Sequence, residues 1–438
     1  MSSNPIRDVS QSRREFLKRS AVAAVAAAPA WSIARAAHAA GSDVIRIGMI
    51  GCGGRCTGAA ADAMTADPAT RLVAMTDPFL DRVKARRETL KKAKPEQVRV
   101  DDDHCFCGLD GYRKVIESVD YVLIACAAKF HPMYAKAAVE AGKHVFVEKP
   151  HGIDPCGVKV MLQAAEIAKK KNLGLLSGLQ SRFTAPIRET IERVHDGQIG
   201  DIVAIEENYL RGPYGRTERP KNLRELEIQL GNQYRFAWLC GDDVPQSLVH
   251  NLDRATWALK ETPPERCRGL GGRSGVQNLL GDVFDHHSVT YQYANGVRVY
   301  AFCRTTLHCF NETSSIYLGT KGVAYPMAGR ITGQKQWTFT GKQEPATVVE
   351  HRELLKSVRA GKPLNCGDYM ARSTLVGVMG QMSCYSGQEV TWDHVCKSDY
   401  FIPPRPEACT WDMEAPTKAD ANGVYPVCFT PGTFRNVK

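Results

Sequence analysis

The sequence predicts an α/β protein of two domains: a parallel sheet covered by helices on both faces, then a second domain built on a mostly antiparallel sheet. Three observations carry this. From Val44 to about 178, short near-continuous apolar runs alternate with helical stretches, the pattern of strands buried on both faces. From about 179 the runs lengthen, and "YANGVRVY" sets Asn-Gly between alternating segments, a hairpin signal. The 438 residues, less a leader of 39, suit two domains of roughly 100–200 residues each.

The leader comes first in the chain. "QSRREFLKRS" places Arg13 and Arg14 ahead of the alanine-rich stretch Ala21–Trp31, and Ala37-His38-Ala39 fits an A-x-A cleavage site. That order reads as a twin-arginine export signal over residues 1–39. The apolar stretch is shorter than the about 20 residues a bilayer requires, and no later segment reads as a membrane helix. The expected partner of the leader is the twin-arginine translocon, and the expected location is periplasmic or otherwise exported. The leader holds six basic and two acidic residues, so it carries +4 of the formal +10 and leaves +6. The densest basic stretch, "KARRETLKKAK" at 84–94, reads as the wet face of a helix, so no nucleic-acid partner is expected.

Fifteen cysteines in an exported chain invite disulfides. Export in the folded state argues the other way, because the fold must be complete in a reducing compartment. Most read as small buried side chains, with Cys409 and Cys428 the first candidates for a pair. There are no zinc-type cysteine pairs, and the acidic pair Asp242–Asp243, which could suggest a metal, has no matching ligands in the sequence, so no metal is expected.

"VIRIGMIGCGGRCTGAA" begins as a strand, breaks at Gly51, Gly53 and Gly54, and continues as an alanine-rich helix. Strand, glycine turn and helix open a dinucleotide-binding unit. The glycines let the backbone approach a pyrophosphate, and the helix N-terminus offers amide donors. The G-x-G-x-x-G spacing is imperfect, with Cys56 third and Gly58 two later. "RLVAMTD" ends in Asp77, 26 residues after Gly51, near the distance at which an acid reaches the adenosine ribose. A carboxylate there repels a 2′-phosphate and favours NAD; Arg82 and the basic run leave NADP possible. Arg55, just past the turn, is a further cofactor candidate. "DYVLIAC", "KHVFVEKP" and "LGLLSG" continue the strands, and "MYAKAAVEAG" and "GVKVMLQAAEIAKKKN" the helices, over 42–178.

The second domain is expected over 179–395, with an ordered Pro-, Cys- and Trp-rich tail over 396–438. Its strands are "DIVAIEENYL", "FDHHSVTYQYANGVRVYAFCR" and "SSIYLGTKGVAYP", with helices near 185–195, 350–359 and 368–386. "DDVPQSLVHNLDRATWALK" reads as a helix from about Pro245. Leu248, Leu252, Ala255 and Leu259 form its buried stripe, and Gln246, His250, Asp253 and Trp257 share another side.

The glycine turn at 51–54, "AGKHVFVEKP" at 141–150, "LVHNLD" at 248–253 and "GTKG" at 319–322 together resemble the glucose–fructose oxidoreductase/inositol dehydrogenase/MocA (Gfo/Idh/MocA) family over about 44–395. The resemblance implies a Rossmann doubly wound sheet plus an α/β domain with a large open, mostly antiparallel sheet. That sheet carries the substrate site on one face and often an oligomer contact on the other, so a homo-oligomer, dimer or tetramer, is expected. It also implies a tightly held nicotinamide dinucleotide and a carbohydrate substrate.

By the same resemblance, Glu148 and Lys149 lie at the cofactor, and Lys149, beside the nicotinamide and the reacting hydroxyl, stabilises developing alkoxide. The Lys149–Pro150 bond could be cis. His250 matches the general base; an imidazole titrating near neutrality suits that task. Gln246 stands where many members have aspartate, and a glutamine orients substrate but holds no charge, so Asp253 or Lys149 would share the proton relay. Arg182, Tyr209, Arg211 and Trp238 are further substrate-binding candidates, with packing or surface positions the competing reading for each. His286 and His287 are adjacent, so on a strand only one can face a site.

Outside the cytosol there is no pool of free dinucleotide, so the cofactor is expected to stay bound and be recycled. The expected activity is oxidation of a sugar or sugar-derivative CH–OH, with the hydride returned to a second substrate. The alternatives are a redox-neutral NAD-dependent glycoside-cleaving enzyme of the same family and a non-catalytic exported sugar-binding protein. Replacing Arg13 and Arg14 by lysine tests the export reading: cell fractionation should find the variant retained in the cytoplasm, because the twin-arginine signal is read by a receptor and not by charge alone.

Overall fold

A computed structural model of the protein describes residues 43–215, 222–274 and 280–433; residues 1–39, expected to form the export leader, lie outside them. Strands β1 (Ile45–Ile50), β2 (Thr70–Asp77), β3 (Cys105–Cys107), β4 (Tyr121–Ile124), β5 (His144–Val147) and β6 (Leu175–Ser177) form a parallel sheet in the order β3-β2-β1-β4-β5-β6. Between them run α1 (Gly54–Ala66), α2 (Leu80–Ala93), α3 (Gly111–Ser118), α4 (His131–Glu140) and α5 (Pro155–Lys170). Because the crossovers cover both faces, Tyr121–Ile124 is buried at every residue, as the continuous apolar run requires. The strand order reverses between β1 and β4. In such sheets ligands bind outside the carboxyl ends of the strands at that reversal.

The second sheet has nine strands: β7 (Ile202–Arg211), β8 (Arg266–Gly272), β9 (His286–Gln292), β10 (Arg298–Thr305), β11 (Glu312–Gly319), β12 (Gly322–Tyr325), β13 (Arg330–Gly333), β14 (Trp337–Thr338) and β15 (Val390–Thr391). Their order is β14-β13-β12-β11-β7-β10-β9-β8-β15, and β7 with β10 is the parallel pair among antiparallel neighbours. The Asn295-Gly296 hairpin joins β9 to β10, with Gly296 at φ +85° where a side chain is strained. The "GTKG" turn joins β11 to β12. Alternation is clean in β9 and β10: Val289, Tyr291, Val299, Ala301 and Cys303 point into a core, and their neighbours point away from it.

The remaining helices of six or more residues are α6 (Ala185–His195), α7 (Glu225–Gly231), α8 (Val249–Ala258), α9 (Ala346–Arg359), α10 (Gly367–Ser386) and α11 (Trp392–Lys397). The twenty-residue α10 contributes Met379 and Met382 to the second core, beneath the nine-stranded sheet. Helix α9 instead turns back to the parallel sheet, and its Leu354 and Leu355 join the first core. So do Ile402, Ala415 and Tyr425 of the tail. The amino-terminal core is therefore completed by segments more than 150 residues downstream of its last strand, β6 (Leu175–Ser177).

The two sheets meet just past β5. The Lys149–Pro150 peptide is cis. His151, which follows, is wholly buried, with Nδ1 3.0 Å from Thr374 Oγ1 on α10 and Nε2 3.0 Å from Ser177 Oγ on β6. All fifteen cysteines are free thiols, so Cys409 and Cys428 are not bridged. Among the described residues no helix is long and apolar enough to cross a membrane, and no three His, Cys, Asp or Glu side chains converge on a metal-sized site.

Burial sets an acid limit on this fold. It pushes His131 down to about 4, and His151 and His351 down to about 3. In the unfolded chain each binds a proton near pH 6.5; in the folded chain each stays neutral to far lower pH. Unfolding therefore takes up protons, and stability is full above about 6.5 and declines as pH falls from there toward about 3–4, by on the order of several kcal/mol in total. Urea titrations should show the midpoint dropping steadily below pH 6.5, and His151→Asn should make that decline shallower.

Candidate active site

A cleft of about 790 Å³ opens at the carboxyl ends of the parallel strands, where the second domain faces them. An adjoining cavity of about 580 Å³ lies over the glycine turn and the end of β2. The two share Ala125, Cys126 and Gln233 as walls.

The glycines of the second cavity do different jobs. Gly51 has φ +95°, and a Cβ on it would lie 2.7 Å from the Ala125 carbonyl oxygen. This position needs glycine for the backbone alone. A Cβ on Gly53 or Gly54 would meet nothing within 4 Å. Their backbone, at the N-terminus of α1, is open to whatever enters the cavity. Cys56, in place of a third glycine, is fully buried with Sγ 3.6 Å from the Leu123 carbonyl oxygen, so a small thiol suffices for close helix–strand packing. Asp77 ends β2. Its Oδ2 accepts from Cys52 N at 2.8 Å and its Oδ1 from Phe79 N at 3.1 Å, which ties the turn to the strand end. Arg82 Nη1 lies 3.3 Å from Asp77 Oδ1. Burial raises the Asp77 pKa and Arg82 opposes the rise.

Leu230 and Gln233, at and just past the end of α7, line the same cavity. The tail braces α7: Arg224 Nη1 donates to the Trp411 carbonyl at 3.0 Å, and Gln229 Nε2 to that of Thr417 at 2.6 Å. Trp411 in turn meets Phe79 edge-on at 6.1 Å. An open backbone cradle at a helix N-terminus, an acid at the end of β2 and a cover held by the tail fit an NAD-type dinucleotide.

The larger cleft collects the reaction-type side chains. Lys149 Nζ donates to the Gln246 carbonyl at 2.7 Å. Glu148 Oε2 accepts from the Lys149 backbone N–H at 3.1 Å, and Glu148 Oε1 lies 2.7 Å from Arg55 Nε. Burial lowers the Lys149 pKa, and Glu148 is the main influence against it. Gln246 belongs to a single π-helical turn, Val244–Leu248, that feeds α8; such turns recur at functional sites. His250 sits half-buried on the first turn of α8, and its Nδ1 has no hydrogen-bond partner. Burial, then the Lys149 charge, pushes its pKa well below 6.5. The imidazole is neutral.

Lys149, His250, Gln246, Tyr209, Arg55 and Glu148 thus line one cleft, and Gly51, Gly53 and Asp77 the adjoining cavity. Arg211 lies to one side: its Nη2 is 2.7 Å from Asp243 Oδ1 and 3.0 Å from Ser247 Oγ. Three expected substrate contacts do not line the cleft. The buried Asp253 carboxylate accepts from Arg182 Nη2 at 2.8 Å and from Ser373 Oγ at 2.8 Å. Arg182 also pairs with Glu261 at 2.6 Å and lies over the Tyr369 ring. Trp238 is 3 % exposed, and its indole N–H donates to Gln229 Oε1 at 2.7 Å. Each has found its partner inside the protein. His287 is buried and His286 points outward.

Some cleft residues escaped the sequence reading. Gln233 and Tyr234 reach the cleft because the segment after α7 folds over it. Glu350 of α9, which does not line the cleft, is wholly buried behind it with neither carboxylate oxygen partnered, and burial, then Glu148, raises its pKa far above the usual range. No local pattern marks these positions.

Residues 45–175 match the Gfo/Idh/MocA model, an oxidoreductase family with an NAD-binding Rossmann fold. The amino-terminal domain is an NAD-binding Rossmann domain of that type. A glycosyl hydrolase family 109 protein of Bacteroides fragilis is 29% identical over 171 residues, 38% of this chain and 35% of its own length. A family 109 protein of Solibacter usitatus is 33% identical over 156 residues, 33% of this chain and 34% of its own. The chain thus spans about a third of the length of these relatives. The fold is shared more widely. An aldose–aldose oxidoreductase from Caulobacter crescentus, solved with glycerol, superposes with TM-score 0.62 at 18% identity, covering 80% of this chain and 99% of that one. An oxidoreductase from Thermotoga maritima does so with TM-score 0.63 at 19% identity, over 80% and 99%.

The glycine turn supplies a test that separates backbone need from ligand need. Gly53→Ala should cost less than about 1 kcal/mol in urea unfolding, as at other helix caps, because its Cβ meets no protein atom. It should weaken NAD binding at least about 10-fold by isothermal titration, because the Cβ enters the cradle where the backbone must approach the pyrophosphate.

Proposed function

We propose that the chain is a member of the Gfo/Idh/MocA family and a nicotinamide-dependent oxidoreductase acting on a hydroxyl of a sugar or sugar derivative. One observation carries the reading: His250, an imidazole whose charged form is disfavoured by burial and by the Lys149 charge, lines the same cleft as Lys149. A neutral imidazole at the cleft surface accepts a hydroxyl proton as the C–H bond breaks. The Lys149 ammonium, fixed by the Gln246 carbonyl, stabilises the developing alkoxide from a preset position. Glu148 favours the charged form of Lys149. The dinucleotide, when bound, takes the hydride from the substrate carbon.

The cover braced by the tail supports retention of the cofactor between turnovers, with the hydride passed to a second substrate. Retention suits an exported enzyme, and the paired arginines of the leader support periplasmic location through the twin-arginine route. The outward face of the nine-stranded sheet, strung with Tyr300 and Phe302 of β10, supports a homo-oligomer.

A second reading, redox-neutral glycoside cleavage, draws support from the name that the Bacteroides and Solibacter relatives carry. The two differ in a direct assay. For an oxidoreductase, a suitable sugar alone reduces the bound nicotinamide and leaves it reduced until an acceptor is added. For a glycosidase, a glycoside is cleaved steadily with no acceptor and no lasting reduction. A protein that does neither across a broad sugar panel overturns both.

His250→Ala and Lys149→Ala should each still bind NAD and each lose the chemical step by roughly 10²–10⁴-fold, the usual worth of a positioned acid–base group. Since the His250 pKa is depressed, the acid limb of kcat/KM should fall below pH 6.5; since that of Lys149 is lowered too, the alkaline limb should fall below 10.5.

A further inference from the structure

Gly178 directly follows β6, the last strand of the parallel sheet, and the position has no room for a side chain. Its φ lies outside the left-handed region, so the backbone alone does not call for glycine. Yet the three atoms nearest a Cβ placed there all belong to one side chain: Glu148 Cδ at 2.7 Å, Oε2 at 2.7 Å and Oε1 at 2.9 Å. The Glu148 carboxylate rests on the bare backbone of Gly178.

The backbone on both sides of this contact is pinned. Gly178 N donates to the Val147 carbonyl at 3.0 Å, and Glu148 N to the Ile124 carbonyl at 2.8 Å. Beside Gly178, Ser177 Oγ lies 3.0 Å from Nε2 of the buried His151 and accepts from Leu179 N at 3.2 Å. A side chain at 178 would therefore displace the carboxylate, the far end of a flexible side chain, and leave the strands in place. That carboxylate has partners on two elements. Its Oε2 accepts from the Lys149 backbone N–H at 3.1 Å, and its Oε1 lies 2.7 Å from Arg55 Nε on α1. It is also the main influence that opposes the effect of burial on the Lys149 ammonium.

We propose that Gly178 is a positioning residue: the space left by its missing side chain seats the Glu148 carboxylate where it reaches both Lys149 and Arg55. Gly178 does not line the cleft itself. The end of β6 thus acts on the reaction-type lysine through one acid. The inference rests on the proposed role of Lys149 and names what fixes the acid beside it.

The test needs neither sugar nor dinucleotide. The purified protein is briefly acetylated with acetic anhydride from about pH 7 to pH 11, and peptide mass spectrometry reads the rate at Lys149. The rate at pH 7 is divided by the plateau at high pH. In Gly178→Ala this ratio should rise about 3–10-fold, because drawing an opposite charge away from an ammonium favours its neutral form. A merely looser site would raise both rates and leave the ratio alone. In a Glu148→Ala background nothing is left to displace, so adding Gly178→Ala should change the ratio less than about 2-fold, the non-additivity of two residues that act as one. The double variant also decides the matter if Gly178→Ala fails to fold: it removes the atoms in the way, so it should fold wherever Glu148→Ala does. An unmoved ratio in folded Gly178→Ala, an equal rise in both backgrounds, or a double variant that unfolds where Glu148→Ala does not would overturn the seat. Those outcomes leave the oxidoreductase reading intact, which fails on its own if no sugar reduces the bound nicotinamide.

Discussion

A cation drawn half out of water has to be compensated, and in this protein the compensation of Lys149 joins the two domains. The ammonium leaves the end of β5 in the parallel sheet and donates to a carbonyl 97 residues away, in the π-helical turn that begins α8. An unpaired charge at that depth would lose its proton or cost several kcal/mol. The Gln246 carbonyl and the neighbouring Glu148 offset part of that penalty, and burial still leaves the Lys149 pKa lowered. They also fix where the charge sits. The contact therefore sets the mutual position of the strand end, which carries the cofactor side of the site, and of the helix start, which carries His250.

The electrostatics around this contact are graded by burial. Glu148 is shared between the Lys149 backbone and the Arg55 guanidinium, so one carboxylate orders a residue from each side of the glycine turn. Glu350 sits behind it without a partner, and burial holds its proton in place. His250, facing the Lys149 cation, is discharged. The result is an ammonium and a neutral imidazole in one cleft at neutral pH, the pair of states that an alcohol oxidation at a fixed centre requires.

What could be read in the sequence was whatever a local pattern determines. The turn at Gly51, Gly53 and Gly54, the acid closing β2, the Asn295-Gly296 hairpin and the helix that carries His250 all follow from periodicity or from a residue type with one physical use, whereas the Glu-Lys-Pro strand end is marked by the family resemblance. The misplacements have one common cause. Asp253 and Trp257 lie on the helix side that carries His250, yet Asp253 meets Arg182 from 71 residues upstream and Ser373 from 120 downstream. Trp238 was open to a sugar until α7 supplied Gln229. A polar side chain is available only if nothing distant claims it, and that is decided by tertiary contacts. The same holds for the tail: its Pro-, Cys- and Trp-rich composition suggested order, but not that Trp411 and Thr417 would brace the cover of the dinucleotide cavity.

The chemistry proposed at Lys149 and His250 requires a dinucleotide lying between the Gly53 cradle and their cleft. Purified protein, washed free of added nucleotide, denatured and analysed by mass spectrometry, measures this directly. The account predicts NAD released in about equal amount to the chain. A protein that releases neither NAD nor NADP, and that shows no affinity for either when they are added back, would contradict it.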